Sequence, residues 1–155
     1  MIEADLVETL RQLAPPLAAL HAPWWLIGSA AMALHGAAPI VVADVDLLVS
    51  PGDAAALIGM LGLVPLRAGS DRFRSNPFAR WTAPPLPVEI MADFHVRAGD
   101  GWVPVRPATR QAVTIGGSEL FVPSVAELRA IGRLYGRPKD AERDRLLAAI
   151  EPTNR

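Results

Sequence analysis

The chain has 155 residues, of which 51% are apolar and 20% charged, and its net charge is −1. This profile predicts one globular domain spanning residues 1–155, without a general electrostatic attraction to nucleic acid or membranes. The absence of Cys excludes disulfides, thiolate zinc sites and thiol catalysis. The acidic first residues, MIEADLVETL, lack the basic start of a signal peptide, so we expect a cytoplasmic protein.

The first elements follow from apolar spacing. Three leucines at helical intervals predict a helix over residues 3–13, which Pro15-Pro16 interrupts. Residues 24–28, WWLIG, are typical of a buried strand. Ser29 is predicted to cap a helix over residues 30–35, and Gly36 would close that helix.

Residues 22–43 contain no charged side chain, a length that could suggest a membrane span. Pro23, Gly28 and Pro39 interrupt the stretch, and no basic anchors flank it. We therefore expect strand, turn, helix and loop here, and no contact with a membrane.

In the middle of the chain, some segments have a clear pattern of secondary structure and others do not. Residues 43–50 are predicted to form an acidic strand, and Asp53 to cap the helix that follows. Turn residues and short aromatic pieces fill residues 67–85, which predicts loose structure. Residues 86–94, LPVEIMADF, then indicate a second apolar strand.

The last part of the sequence is predicted to form a hairpin and two helices. Gly116-Gly117 separates two apolar runs, as in a hairpin. Ser124 begins a capping-box sequence for one helix, and a last helix over residues 139–150 follows Pro138. Strands interleaved with helices predict an α+β domain with α/β-like character, in which helices within residues 124–150 close the sheet.

The most informative residues are Asp44 and Asp46, in the apolar strand over residues 43–50. Residues two apart on a strand share a face, roughly 6.6 Å apart. Two neighbouring carboxylates repel each other, and burying them is costly unless a positive charge lies between them. Hard cations such as Mg²⁺ take carboxylate oxygens and often bind together with nucleotide phosphates. The pair therefore predicts a metal site.

A site for two metal ions usually needs a third carboxylate. Glu89 is the favoured candidate, because its strand neighbours Val88 and Ile90 face the opposite side. Asp93 is the alternative, about 13 Å farther along the same face if the strand is unbroken. One of the two could meet Asp44 and Asp46, but not both.

Gly28-Ser29 predicts a phosphate-binding turn. A glycine lets the backbone approach a phosphate closely, and the following helix offers unpaired N–H groups. Ser29 adds a hydroxyl.

These motifs resemble a known superfamily. Gly28-Ser29, Asp44-Val45-Asp46-Leu47 and Val88-Glu89-Ile90 are similar, in that order, to the signature of the DNA polymerase β-like nucleotidyltransferases. The run from Gly28 resembles the small bacterial members, which include lincosamide and aminoglycoside nucleotidyltransferases and toxins of the abortive-infection type. The segment Gly136-Arg137-Pro138-Lys139-Asp140 is similar to their closing helix.

The resemblance implies a nucleotidyltransferase fold, with a mixed sheet flanked by helices and a helical C-terminus. It implies transfer of NMP from an NTP to an acceptor hydroxyl, with release of pyrophosphate. Asp44 and Asp46 would hold two Mg²⁺ ions, and Glu89 would bind the catalytic ion and could take the acceptor's proton. Gly28 and Ser29 would contact the phosphates, together with Lys139.

The chain departs from the family pattern before its acidic strand. Ile40 and Val42 stand where relatives commonly carry a basic residue and a Thr. A phosphate contact would then come from Arg72, Arg74 or Lys139. The departure motivates an alternative function: a weak or inactive nucleotide- or protein-binding module of the same fold, such as a toxin–antitoxin component.

Other functional candidates are less specific. A metal-dependent phosphohydrolase could use the same carboxylates and would release phosphate. The sequence leaves the acceptor open between a small molecule, a protein and tRNA, and allows a homodimer.

The remaining histidines and tryptophans are given structural roles. His35 and His95 are predicted to make local hydrogen bonds, whereas Trp81 and Trp102 are expected to pack against neighbouring side chains.

Overall fold

The computed structural model describes residues 2–152, so the two ends of the predicted domain span lie outside the described residues. Five helices are found in this part of the chain: α1 (Ala4–Leu17), α2 (Gly28–Leu34), α3 (Pro51–Met60), α4 (Val125–Tyr135) and α5 (Pro138–Ile150). The strands are β1 (Trp25–Ile27), β2 (Val45–Leu48), β3 (Ala68–Gly69), β4 (Phe73–Ser75), β5 (Phe78–Trp81), β6 (Val88–Met91), β7 (His95–Ala98), β8 (Gly101–Pro104), β9 (Gln111–Ile115) and β10 (Ser118–Val122).

The central sheet has the strand order β1-β2-β6-β5. Strands β2 and β6 are parallel, whereas β1 and β5 pair antiparallel to their neighbours. The predicted mixed sheet of an α+β fold is therefore confirmed. The parallel pair brings together the two apolar segments that carry the acidic residues.

The two faces of the central sheet differ in chemistry. Leu47 and Ile90 point to one face, where they are fully buried with Leu10 of α1 in the main apolar core. Each such side chain contributes roughly 1.5–3 kcal/mol through removal from water. The alternate residues Asp46 and Glu89 must face the other side. Burial of the apolar face therefore fixes where the carboxylates point.

Helix α1 continues through Pro15 and Pro16 to Leu17, so the predicted interruption is wrong. Both prolines lie in the last turn, and the N–H of Ala18 closes the helix on the carbonyls of Ala14 and Pro15. Burial of Leu17 in the main core extends the apolar stripe past the prolines.

Two predicted helix caps are also wrong. Helix α2 begins at Gly28, so Ser29 lies inside its first turn and makes no cap bond. In α3 the cap is Ser50, whose hydroxyl accepts from the Asp53 N–H. The Asp53 carboxylate instead accepts from the backbone N–H groups of His21 and Ala22, at 3.1 and 2.9 Å.

The segment predicted to be loose contains three strands. Strands β3 and β4 join β7 and β8 in a second sheet with the order β3-β4-β7-β8, whereas β5 belongs to the central sheet. The strands of the second sheet are two to four residues long; β3 pairs with β4 and β7 with β8 as neighbours in sequence, and the β4–β7 pairing joins the two halves across a long separation. Elements this short carry little periodic signal, so tertiary pairing decides them. This sheet lies on the side of the central sheet that carries Asp46 and Glu89.

The C-terminal part follows the sequence prediction except for the capping box, because the Glu127 carboxylate accepts from the N–H groups of Ala108 and Thr109 and not from that of Ser124. Strands β9 and β10 form the expected hairpin around Gly116-Gly117, and the Ser124 hydroxyl caps α4. Gly136 ends α4 in the left-handed conformation, and α5 follows. Arg129 ties the two helices together through ion pairs with Asp144 and Glu151. No helix of residues 2–152 is both long and apolar enough to cross a membrane.

Asp53 makes stability depend on pH. Burial opposes its ionisation, but the two N–H donors and Ser50 outweigh this and hold its pKa below the usual value. Because the folded-state pKa is depressed, the stabilisation is present at neutral pH and is lost as pH falls below about 4. We expect Asp53→Asn to lower the free energy of unfolding by about 1–3 kcal/mol at neutral pH.

Urea unfolding of both proteins across the acid range measures this effect. The difference between wild type and Asp53→Asn should shrink as pH falls through the folded-state pKa. A difference that stays constant with pH would contradict the assignment.

Candidate functional site

Asp46 and Glu89 lie side by side on the central sheet. The parallel register of β2 and β6 places Asp46 directly opposite Glu89. Neighbouring strands are about 4.8 Å apart. Asp44 lies just before β2, and all three half-buried carboxylates line one cavity of about 370 Å³. The implied placement of the carboxylates on neighbouring strands is therefore found.

Negative charge in this cluster is not balanced. Burial raises the pKa of Asp46 to about 7, and the charges of Asp44 and Glu89 add to the effect. The pKa of Glu89 is also raised, first by burial and then by Asp44, although Arg80 opposes this. Among the described residues, no Lys, Arg or His forms an ion pair with any of the three.

The donor set fits a hard divalent cation. It offers carboxylate oxygens, which Mg²⁺ prefers, in a cluster that forms no ion pair with the described basic residues. Within residues 2–152, however, no three acidic or histidine side chains already form a metal-binding arrangement. Binding would therefore require the three side chains to turn toward a common point.

Gly28 lies close to the cluster. Its φ is +66°, and a Cβ added there would lie 2.7 Å from Oδ2 of Asp46. The left-handed conformation favours glycine, and any other residue would force the Asp46 carboxylate to shift. Phosphate approach was the reason that the sequence suggested, and the structure adds the closeness of a carboxylate. Ser29, which is buried, lines the same cavity.

Positive charge faces the carboxylates from α5. Lys139 and Arg143 both line the cavity, because residues four apart share one face of a helix. Arg143 acts on Asp46 through space and partly lowers its pKa. Sequence reasoning selected Lys139 and missed Arg143, although the spacing of four residues was a usable signal.

Some of the other basic residues line the cavity, and others lie outside it. Arg74 lines the cavity and stacks over Trp102, with 4.5 Å from its guanidinium carbon to the ring centroid. Arg72, by contrast, donates to the backbone carbonyl of Tyr135 and is not among the cavity-lining residues. Arg137, which sequence reasoning did not select, lines the cavity and pairs with Asp140 at 2.7 Å.

The structure brings Glu89, and not Asp93, into the cavity. Strand β6 ends at Met91, and Asp93 adopts a left-handed conformation with φ +46°. The unbroken strand that would have placed Asp93 on the face of Glu89 is therefore absent. Asp93 lines a separate cavity, and its side chain is 54% exposed.

Both selected histidines make the local hydrogen bonds that were predicted. His35 Nε2 lies 2.7 Å from the carbonyl of Pro123, and His95 Nδ1 lies 2.8 Å from the carbonyl of Asp93. Neither His35 nor His95 lines the acidic cavity.

Comparison with known proteins supports the fold. No family model matches the sequence, and no curated protein matches it. A Thermotoga maritima protein assigned as a nucleotidyltransferase (TM1012) is similar in structure, with a TM-score of 0.75 and 22% identity over 96% of both chains.

Two further solved structures are also similar. ANT(2″)-Ia, determined in complex with adenylyl-2″-tobramycin, has a TM-score of 0.55 and 16% identity, covering 93% of this chain and 86% of its own. An antigenic nucleotidyltransferase-like protein of Paracoccidioides brasiliensis has a TM-score of 0.58 and 16% identity, covering 94% and 75%. The chain therefore has the nucleotidyltransferase fold.

The contact between Gly28 and Asp46 can be tested with a matched pair of glycines. Gly62 has nearly the same φ, +65°, but nothing lies within 4 Å of an added Cβ. Alanine at either position forces a left-handed conformation that costs about 1–2 kcal/mol. We expect Gly28→Ala to lose more unfolding free energy than Gly62→Ala, because it also displaces Asp46.

Denaturant unfolding in the presence of a chelator measures both variants without metal. Equal losses in Gly28→Ala and Gly62→Ala would show that the Asp46 contact has no energetic consequence.

Proposed function

We propose that this protein is a Mg²⁺-dependent nucleotidyltransferase, which transfers NMP from an NTP to an acceptor hydroxyl and releases pyrophosphate. One observation carries the proposal: Asp44, Asp46 and Glu89 share a cavity in which no ion pair with a described residue balances them. The nucleotidyltransferase fold, seen in the three neighbours, supports this assignment.

The three carboxylates have separate roles in this proposal. Asp44 and Asp46 would hold two Mg²⁺ ions, and Glu89 would hold the catalytic ion with them. Bound Mg²⁺ supplies neutralisation of the charge that develops on the transferring phosphoryl group. Glu89 would also accept the proton of the acceptor hydroxyl, because its carboxylate lies in the cavity beside Asp46.

The phosphates would lie between α2 and α5. Gly28 and Ser29 border the carboxylates on one side, and Lys139 and Arg143 face them from the other. This cationic pair would bind the triphosphate oxygens and stabilise the departing pyrophosphate. Arg143 thereby supplies a phosphate contact that Ile40 and Val42 cannot.

The role of Glu89 can be separated from that of a surface carboxylate. With an α-labelled NTP, Mg²⁺ and a mixture of proteins, RNA and small molecules as acceptors, Glu89→Gln should lower transfer on the order of 10²–10⁴-fold. Asp93→Asn, at the rejected third position, should retain transfer near the wild-type rate. Label transfer by Glu89→Gln at the wild-type rate would contradict the proposed role.

The same assay distinguishes the other functions. Binding of Mg²⁺ and NTP without transfer to any acceptor would favour the inactive binding module. Release of inorganic phosphate in place of pyrophosphate would favour a phosphohydrolase.

Arg143 provides a direct test of triphosphate binding. We expect Arg143→Ala to weaken binding of Mg²⁺ and a non-hydrolysable NTP analogue by about ten- to a hundredfold, since a charge-assisted hydrogen bond contributes about 1.5–3 kcal/mol. Arg145→Ala is the control, because Arg145 is exposed on the same helix and pairs with Glu142.

Calorimetry at about pH 8 keeps most of Asp46 ionised, since its pKa is about 7. Equal affinity in Arg143→Ala and Arg145→Ala would remove Arg143 from the nucleotide site.

A further inference from the structure

The floor of the acidic cavity becomes apolar along β6. Glu89 and Met91 lie on the same face of this strand, roughly 6.6 Å apart. Phe78 of β5 pairs with Met91 in the antiparallel register, and both side chains line the cavity. A molecule whose hydroxyl faced Glu89 would therefore extend over Met91 and Phe78.

An aromatic wall continues this apolar floor. Phe73 of β4 stacks with Phe94, with 5.9 Å between ring centroids, and meets Tyr135 edge-to-face at 5.0 Å. All three rings line the cavity. Phe73 belongs to the second sheet, so that sheet contributes one ring of this wall. The Arg137 guanidinium lies 5.1 Å from the ring centroid of Phe73 and 5.2 Å from that of Tyr135. A wall of aromatic rings beside a positive charge favours a flat group without positive charge.

The cavity offers no spare negative charge. Four acidic residues are found among its described lining residues: Asp44, Asp46, Glu89 and Asp140. The first three form the proposed metal set. Asp140 accepts two hydrogen bonds from the Arg137 guanidinium, at 2.7 and 3.0 Å, and burial of its charge is offset by that pairing. Arg74 adds a positive charge at the wall.

We infer that the acceptor is an uncharged, hydroxyl-bearing molecule with a planar apolar ring, and not a polycation. The ring packs against Phe73, Phe78 and Met91 while the hydroxyl faces Glu89. This inference rests on the proposed function. In the reaction the acceptor oxygen bonds to the α-phosphorus, the bond to pyrophosphate breaks, and the hydroxyl proton passes to Glu89.

Three probes test separately how the aromatic ring, the sugar and positive charge affect binding. They are para-nitrophenyl glucoside, methyl glucoside, which lacks the ring, and tobramycin, a polycation. Binding of each is measured by calorimetry to the full chain with Mg²⁺ and a non-hydrolysable NTP analogue. We expect the aromatic glucoside to bind at least about tenfold more tightly than either other probe, through burial of its ring.

Two pairs of variants locate the effect. Phe73→Leu should weaken binding of the aromatic glucoside severalfold, whereas Phe121→Leu, which alters a ring packed on Trp24 outside the cavity, should not. Arg74→Glu should tighten tobramycin binding, because it supplies the missing negative charge. Arg97→Glu, at an exposed position of β7 that does not line the cavity, is the control. Arg74 is also exposed, so this test does not depend on repacking the wall.

Three results would overturn the inference and leave the proposed function intact. They are tobramycin binding as tight as that of the aromatic glucoside, equal affinity for the two glucosides, and binding of the aromatic glucoside that is seen without the NTP analogue but lost when the analogue is present. The last would assign the aromatic wall to the nucleobase. Failure of the analogue itself to bind with Mg²⁺ would overturn the proposed function, and this inference with it.

Discussion

Repulsion between Asp46 and its acidic neighbours is the constraint on which the rest of the site depends. The apolar partners of Asp46 and Glu89 on β2 and β6 are fully buried on the other face, so neither strand can turn its carboxylate away without exposing the core. The fold therefore holds the charges together at a cost. A bound divalent cation would relieve this repulsion, and the relief would favour its binding. Such a loss of stability in the free protein is common at functional sites.

Close packing at Gly28 helps to set the position of α2 relative to β2. The start of α2 lies close to the Asp46 carboxylate, where a side chain at residue 28 would collide with it. The same glycine would let a phosphate approach the metal ligands without interference from a side chain. One backbone position thus links the local geometry of β1 and α2 to the chemistry proposed for β2.

Strand alternation made much of this site predictable. Residues with period two around Asp46 and Glu89 indicated a polar face. The resemblance of the motifs to a known superfamily implied the fold. Rejection of Asp93 could not be predicted, because it follows from a left-handed residue beyond the end of β6. Arg143 required knowledge of how α5 faces the sheet. The second sheet consists of two short hairpin-like pairs, β3–β4 and β7–β8, and joining them required the distant β4–β7 pairing, which local sequence does not encode.

The second sheet also bears on the choice of acceptor in the proposed function. There the carboxylates and α5 would carry out phosphoryl transfer, whatever the acceptor. Phe73, on a short strand outside the central sheet, instead shapes the space beyond Glu89. Phe73 lies away from the buried face of β2 and β6, so a substitution there leaves the core beneath the carboxylates untouched. In the proposed function, acceptor preference would therefore depend on a residue that can change without disturbing the proposed metal ligands.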